Sequence, residues 1–189
     1  MSTENQNFRS DSRDRLTALV ETALLLAIAF VLGRIKLWQL PNGGSVHPAS
    51  MLPLCLIGLR RGKKWGFLGC FAFGIIDFLF DGGLALNIWS ILLDYLAAYA
   101  MLGVTGFFCG KRMLGIWVGM PLAVLARFVC HFVTGVTIWA EYMPAEWSHV
   151  WLYSAVYNGS FLVIELALMM VISFALKAFW PRLLNPKKV

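Results

Sequence analysis

The chain has 189 residues, of which 59% are hydrophobic and 14% charged, with a mean hydropathy of +0.71. Soluble domains are about 45 to 50% apolar and about 25% charged, so this composition excludes an ordinary soluble enzyme and calls for a bilayer as a second solvent. Sixteen Lys and Arg against ten Asp and Glu give +6. In a membrane protein such an excess reads as topology rather than as nucleic-acid binding.

At about 20 residues per span the length holds at most about six transmembrane helices, which leaves no room for a separate catalytic or nucleotide-binding domain. Residues 1–15 are polar and carry Arg9, Arg13 and Arg15; they read as a cytoplasmic segment that stays attached, because the apolar run behind them is too long for a cleavable signal. A membrane domain is expected over 16–180 and a basic cytoplasmic tail over 181–189. Within it the apolar runs predict helices at Leu16 to Leu37, His47 to Leu59, Trp65 to Phe80, Asn87 to Phe108, Leu114 to Trp139 and Trp147 to Phe179. The runs are continuous rather than alternating, which argues against a β-barrel.

Arg9, Arg13, Arg15, Arg60, Arg61, Lys63, Lys64, Lys111, Arg112, Lys177, Arg182, Lys187 and Lys188 all fall on one side of such an arrangement. The expected fold is therefore an all-α integral membrane protein, a compact bundle of six transmembrane helices with both termini cytoplasmic. The opposite side has two unusual loops. Residues 41–50, PNGGSVHPAS, demand irregular backbone, tolerated at membrane depth only under cover of protein or a water-filled cavity. The loop ending the fifth helix is rich in aromatics, of which Trp147 and Trp151 read as an interfacial belt. Cys55, Cys70, Cys109 and Cys130 have no metal or redox spacing and read as small buried hydrophobes.

Ionisable groups inside apolar helices are the strongest functional pointers, since each costs about 2.5 to 3.5 kcal/mol at a helix centre. Asp94 and Tyr95 lie in the fourth helix, and Arg127 and His131 in the fifth. Asp77 and Glu165 carry no evident chemistry and read as helix-packing groups, and Glu21 lies near enough to the cytoplasmic surface to be hydrated. Arg127, His131, Gly135 and Trp139 recur every four residues, so one face of the fifth helix presents cation, imidazole, gap and indole. A buried Arg needs an anion, and Asp94 on the preceding helix is the nearest deep candidate. The pair reads either as a structural lock or as the floor of a ligand pocket. Tyr95, His131, Trp139, Tyr153 and Asn158 favour the pocket, because a lock would not need them. Such a pocket suits a flat, partly cationic heteroaromatic molecule: aromatic faces attract the cation, and Asp94 accepts from an exocyclic amine.

With these residues in place, the chain resembles the thiamine-specific substrate-binding (S) components of energy-coupling factor (ECF) transporters. The resemblance runs from Leu16 onward and is densest in RFVCHFVTGVTIWAEYMPAEWSHVWLYSAVYNGSF, residues 127–161, with LLDYLAAY, LRRG and ETALLLAIAF in support. It implies that Asp94, with Tyr95 beside it, engages the thiamine pyrimidine, and that Arg127, His131, Gly135, Trp139, Tyr153 and Asn158 complete the ligand site. The chain departs from one member of that family in having Asp94 for a Glu, Arg127 for a Lys, and no Trp within the first outer loop, where Gly44 and Ser45, or Trp38 after a shift, would form a lid. Ala23 and Ala27 match the small-residue surface that S components present to their transmembrane partner. The resemblance further implies a prokaryotic plasma-membrane protein that works with an ECF transmembrane coupling subunit and two cytoplasmic ATPase subunits, since the chain lacks a phosphate-binding loop of its own. Thiamine would be cargo, with no cofactor, metal, nucleic acid or catalysis. An S component for another vitamin-like heteroaromatic, an intramembrane enzyme, and a structural or channel-like membrane protein are the other readings.

Overall fold

The computed structural model describes residues 3–80 and 85–184, and the backbone alone of 3–11, Asn42 and Arg112. Of the charges that argue for topology, Arg9, Arg112, Lys187 and Lys188 thus lie outside the described side chains.

The described chain is mostly helical: α1 (Thr3–Arg34), α2 (Met51–Phe80), α3 (Ile88–Phe108), α4 (Gly115–Thr137) and α5 (Val150–Ala175), then a short α6 (Trp180–Leu183). Four stretches are long and apolar enough to cross a membrane, namely Ser12–Arg34 within α1, and α3, α4 and α5. Rows of apolar side chains on their outer faces are exposed, among them Leu16, Leu24 and Val31 on α1 and Val163 and Val171 on α5. Such faces suit lipid.

Helix α1 starts much earlier than its apolar run. Residues 3–15 contain neither Gly nor Pro, so nothing stops the helix from extending through the polar segment. It ends at Arg34 rather than Leu37, because Leu37 enters a small antiparallel ribbon: its N–H donates to the Val46 carbonyl at 2.9 Å. Strand β1 (Trp38–Gln39) pairs with β2 (Ser45–Val46) around a tight turn at Pro41–Gly43. The helix expected from His47 begins only at Met51, since Pro48 and the left-handed backbone of Ala49 (φ 57°) keep residues 47–50 irregular.

Helix α2 contains both the second and the third apolar runs. At Gly62 the backbone takes φ 81° and ψ −177°, which a side chain disfavours, and the two limbs, 51–61 and 63–80, fold back on each other. A Cβ on Gly66 would lie 2.9 Å from the Gly58 backbone, and the Cys70 thiol reaches the Leu54 carbonyl at 3.6 Å. Both pairs are symmetric about Gly62, as in an antiparallel hairpin.

Helix α3 changes winding along its length. It is π-helical over Ile91–Ala97 and 3-10 over Met101–Phe108. At three residues per turn, Gly103 and Gly106 align on one edge, and their bare backbones sit against Phe67 and Lys63 of the α2 hairpin. Met51, Leu54, Ile57, Leu102, Ile116 and Met120 fill the core where α2, α3 and α4 meet. Ion pairs tie α1 to α2 at two levels. Glu21, expected to be hydrated, accepts from Arg60 at 2.9 Å and Arg61 at 2.8 Å, and Arg34 pairs with Asp77 at 2.5 Å. Cys55 and Cys70 are buried as expected, but Cys109 is exposed and Cys130 half-buried.

Candidate ligand pocket

A cavity of about 130 Å³ opens at the end of the bundle that carries the β-ribbon. Asp94, Tyr95, Arg127, His131, Gly135, Trp139, Tyr153 and Asn158 all line it. Three helices and a loop supply them, so sequence spacing alone could bring together only the α4 group.

Asp94 lies in the π-helical part of α3, a winding common at functional sites. Its Oδ2 accepts from Ser90 Oγ and from the Trp139 indole N–H, each at 3.0 Å. Its Oδ1 accepts from Thr134 Oγ at 2.5 Å and lies 3.0 Å from His131 Nδ1. Three of these partners come from α4 and the turn after it, so the carboxylate joins α3 to α4 as well as facing the cavity.

Arg127 does not pair with Asp94, contrary to the expectation from sequence. Its guanidinium lies over the Tyr99 ring, 3.9 Å from the centroid, and its Nε–H donates to His131 Nε2 at 3.3 Å. One turn apart on α4, Arg127 and His131 satisfy each other, and the imidazole passes the contact on to Asp94. Because an Arg can only donate, His131 must offer a lone pair at Nε2 and carry its proton on Nδ1, the atom facing Asp94. Arg127 is 8% exposed, and its Nη1 has no hydrogen-bond partner among the described residues. Tyr99 in turn donates to Asp77 Oδ2 at 2.7 Å.

Gly135 is a gap for a steric reason. A Cβ there would lie 2.9 Å from the Ser154 Cβ and 3.2 Å from Asn158 Nδ2, so only glycine lets α4 and α5 approach this closely. Asn158 uses the approach, its amide donating to the carbonyls of His131 at 3.2 Å and Ser154 at 3.0 Å. Tyr95 packs edge-on to Phe78 with ring centroids 5.2 Å apart, and Tyr153 stands between Trp147 and Tyr157. Trp147 is half-buried by this contact, whereas Trp151 is exposed and stacks on His149.

Residues 19–185 match the model of a family described as thiamine transporter protein. The chain belongs to this thiamine transporter family. Relatives include the thiamine transporter ThiT of Bacillus subtilis, 27% identical over 188 residues that cover 92% of this chain and 97% of the relative. That of Lacticaseibacillus paracasei is 25% identical over 192 residues, 92% of each chain. A solved structure of ThiT from Listeria monocytogenes superposes with a TM-score of 0.82 at 26% identity, covering 92% of this chain and all of that one. The family is one of transporters and not of enzymes, and this member is a multi-pass plasma-membrane protein.

Several residues that line the cavity or hold its side chains carry no signal in the sequence. Thr134 and Ser90 are neutral hydroxyls that carry no signal of their own in an apolar helix, yet they supply half of the donors to Asp94. Asp77 and Glu165, read from sequence as packing groups, both line the cavity. Glu165 accepts from Ser50 Oγ at 2.8 Å, with His47 Nδ1 at 3.6 Å. Tyr157 joins α5 to the first loop: its hydroxyl accepts from the Gly44 N–H at 3.0 Å and donates to the Pro41 carbonyl. Gly44 and Ser45 line the cavity as expected of a lid, but Trp38 is 47% exposed on the ribbon and does not. Ala23 and Ala27 are both exposed on the outer face of α1. Among the described residues no group of His, Cys, Asp and Glu is placed to hold a metal ion.

Proposed function

We propose that this chain is the thiamine-binding S component of an ECF-type importer. It captures thiamine from outside the cell and delivers it inward with a transmembrane coupling subunit and two ATPase subunits. The reading has six spans, formed by the four long helices and the two limbs of the α2 hairpin, with both termini cytoplasmic. The Lys and Arg residues gathered in 1–15, at the Gly62 turn, in 109–112 and after α5 support that orientation. Asp94, Tyr95, Arg127, His131, Gly135, Trp139, Tyr153 and Asn158 form the binding site, and Ala23 and Ala27 the docking face.

One observation carries the proposal. A half-buried carboxylate, an imidazole and an indole converge on one cavity beside further aromatic rings, which suits a molecule joining an aminopyrimidine to a cationic thiazolium. Family membership supports the choice of thiamine over other vitamins. The test is a tryptophan-fluorescence titration of detergent-purified protein with thiamine and with other heteroaromatic vitamins. Saturable quenching by thiamine is expected, and Trp139→Ala weakens it by about 1 to 3 kcal/mol while the protein stays folded. Unchanged affinity in the variant rules out this pocket, and preference for another vitamin reassigns the cargo.

A further inference from the structure

Three carboxylates line the cavity among the described residues, and they differ in what acceptor capacity they have left. Asp77 is ion-paired to Arg34 at 2.5 Å through Oδ1 and takes the Tyr99 hydroxyl at 2.7 Å on Oδ2. Asp94 takes two donors on each oxygen, from Ser90, Trp139, Thr134 and His131. A carboxylate offers about four acceptor positions, so Asp94 has none free in this state.

Glu165 is different. It is 2% exposed, yet one Ser50 hydroxyl and the His47 imidazole at 3.6 Å are its partners, and no guanidinium or ammonium group stands within 4 Å of it among the described residues. His47 is itself engaged with the Ser45 hydroxyl at 3.2 Å. Arg127 lines the same cavity and its charge is felt at Glu165, but no guanidinium or ammonium group bonds the acid directly, which leaves acceptor positions for a positively charged group of a ligand. On α5, Glu165 lies seven residues beyond Asn158, about 10 Å along the axis, so the cavity is polar at two levels.

We propose that Glu165 is a second ligand-binding carboxylate, which with Ser50 and His47 holds a positively charged or N–H-donating group of the bound molecule. The inference rests on the thiamine reading. Thiamine has two such groups, the cationic thiazolium and the exocyclic amine of the pyrimidine. Either would find in Glu165 an acceptor that Asp94 does not offer without first releasing a donor.

The experiment measures affinities of wild type and Glu165→Gln for three molecules: thiamine, its neutral thiophene isostere, and the analogue with a carbonyl in place of the exocyclic amine. The variant is expected to lose on the order of 30-fold or more for thiamine. For the analogue that lacks the group Glu165 holds, the loss shrinks to within about threefold, and that analogue identifies the group. Equal losses on all three molecules, or no loss for thiamine, overturn the proposal. Should Glu165→Gln fail to fold, Ser50→Ala, which frees the carboxylate from its orienting donor, is expected to lose about three- to tenfold with the same dependence on the analogue, and its failure to do so overturns the proposal equally. Failure of the wild type to bind thiamine would instead sink the functional reading, so the two failures are distinct.

Discussion

Asp94 is held by two hydroxyls, an imidazole and an indole, all of them donors. That arrangement tolerates only an acceptor at its centre. In Asp94→Asn the amide nitrogen would face two donors at hydrogen-bond distance, a repulsive contact that also leaves those donors buried without an acceptor. The expected outcome is a loss of thiamine affinity on the order of 100-fold, together with about 1 to 3 kcal/mol of stability, read by titration and thermal unfolding in detergent. Affinity that survives with stability lowered would make Asp94 a helix lock rather than a binding group. Arg127 belongs to the same unit at one remove. It supports His131, and its charge rests on the Tyr99 ring at the cavity wall.

The glycines of the α2 and α3 elements separate two kinds of cost. At Gly62 the problem is backbone conformation, since φ 81° with ψ −177° is disfavoured for any side chain, while a Cβ there would meet only Cys109 at an ordinary 4.0 Å. Gly62→Ala should therefore cost about 1 to 3 kcal/mol. At Gly106 the problem is contact, because a Cβ would run into the Lys63 backbone, which cannot give way without parting α3 from the hairpin. Gly106→Ala should lower the unfolding temperature more than Gly62→Ala; the reverse order would mean that this packing is looser than described. At this scale much was legible in the sequence. Apolar runs mark helices because lipid rewards continuous hydrophobicity, and of the residues recurring every four positions Arg127, His131 and Gly135 line the cavity from α4, while Trp139 does so from the turn beyond its end at Thr137. The partner of Arg127 was not legible, because it depends on how the π-helical turn rotates Asp94 and Tyr99 about the α3 axis, and no spacing rule assumes such a turn. Nor was the role of Glu165, whose partners Ser50 and His47 are more than a hundred residues away in the chain.

On the proposed reading the whole molecule presents one face to a ligand and another to its coupling subunit. Both alanines of the small-residue pair are exposed on α1. Helices approach closely in lipid only where side chains are small, so Ala23→Leu or Ala27→Leu should leave thiamine affinity within about twofold but abolish uptake when the coupling subunit and ATPases are supplied. Uptake that persists in reconstituted vesicles would place the docking surface elsewhere. The ion pairs of Glu21 and Arg34 hold α1 against the hairpin at two levels, which keeps that outer face in fixed register with the rest of the bundle.

The hydroxyl of Tyr157 grips the first loop by main-chain groups alone, the Gly44 amide and the Pro41 carbonyl. A fastening of that kind recognises the outline of the loop and ignores its lettering. The hold therefore rests on two glycines, position 43 for its φ of 96° and position 44 for its bare α-carbon, since a methyl group there would press within 2.9 Å of the hasp.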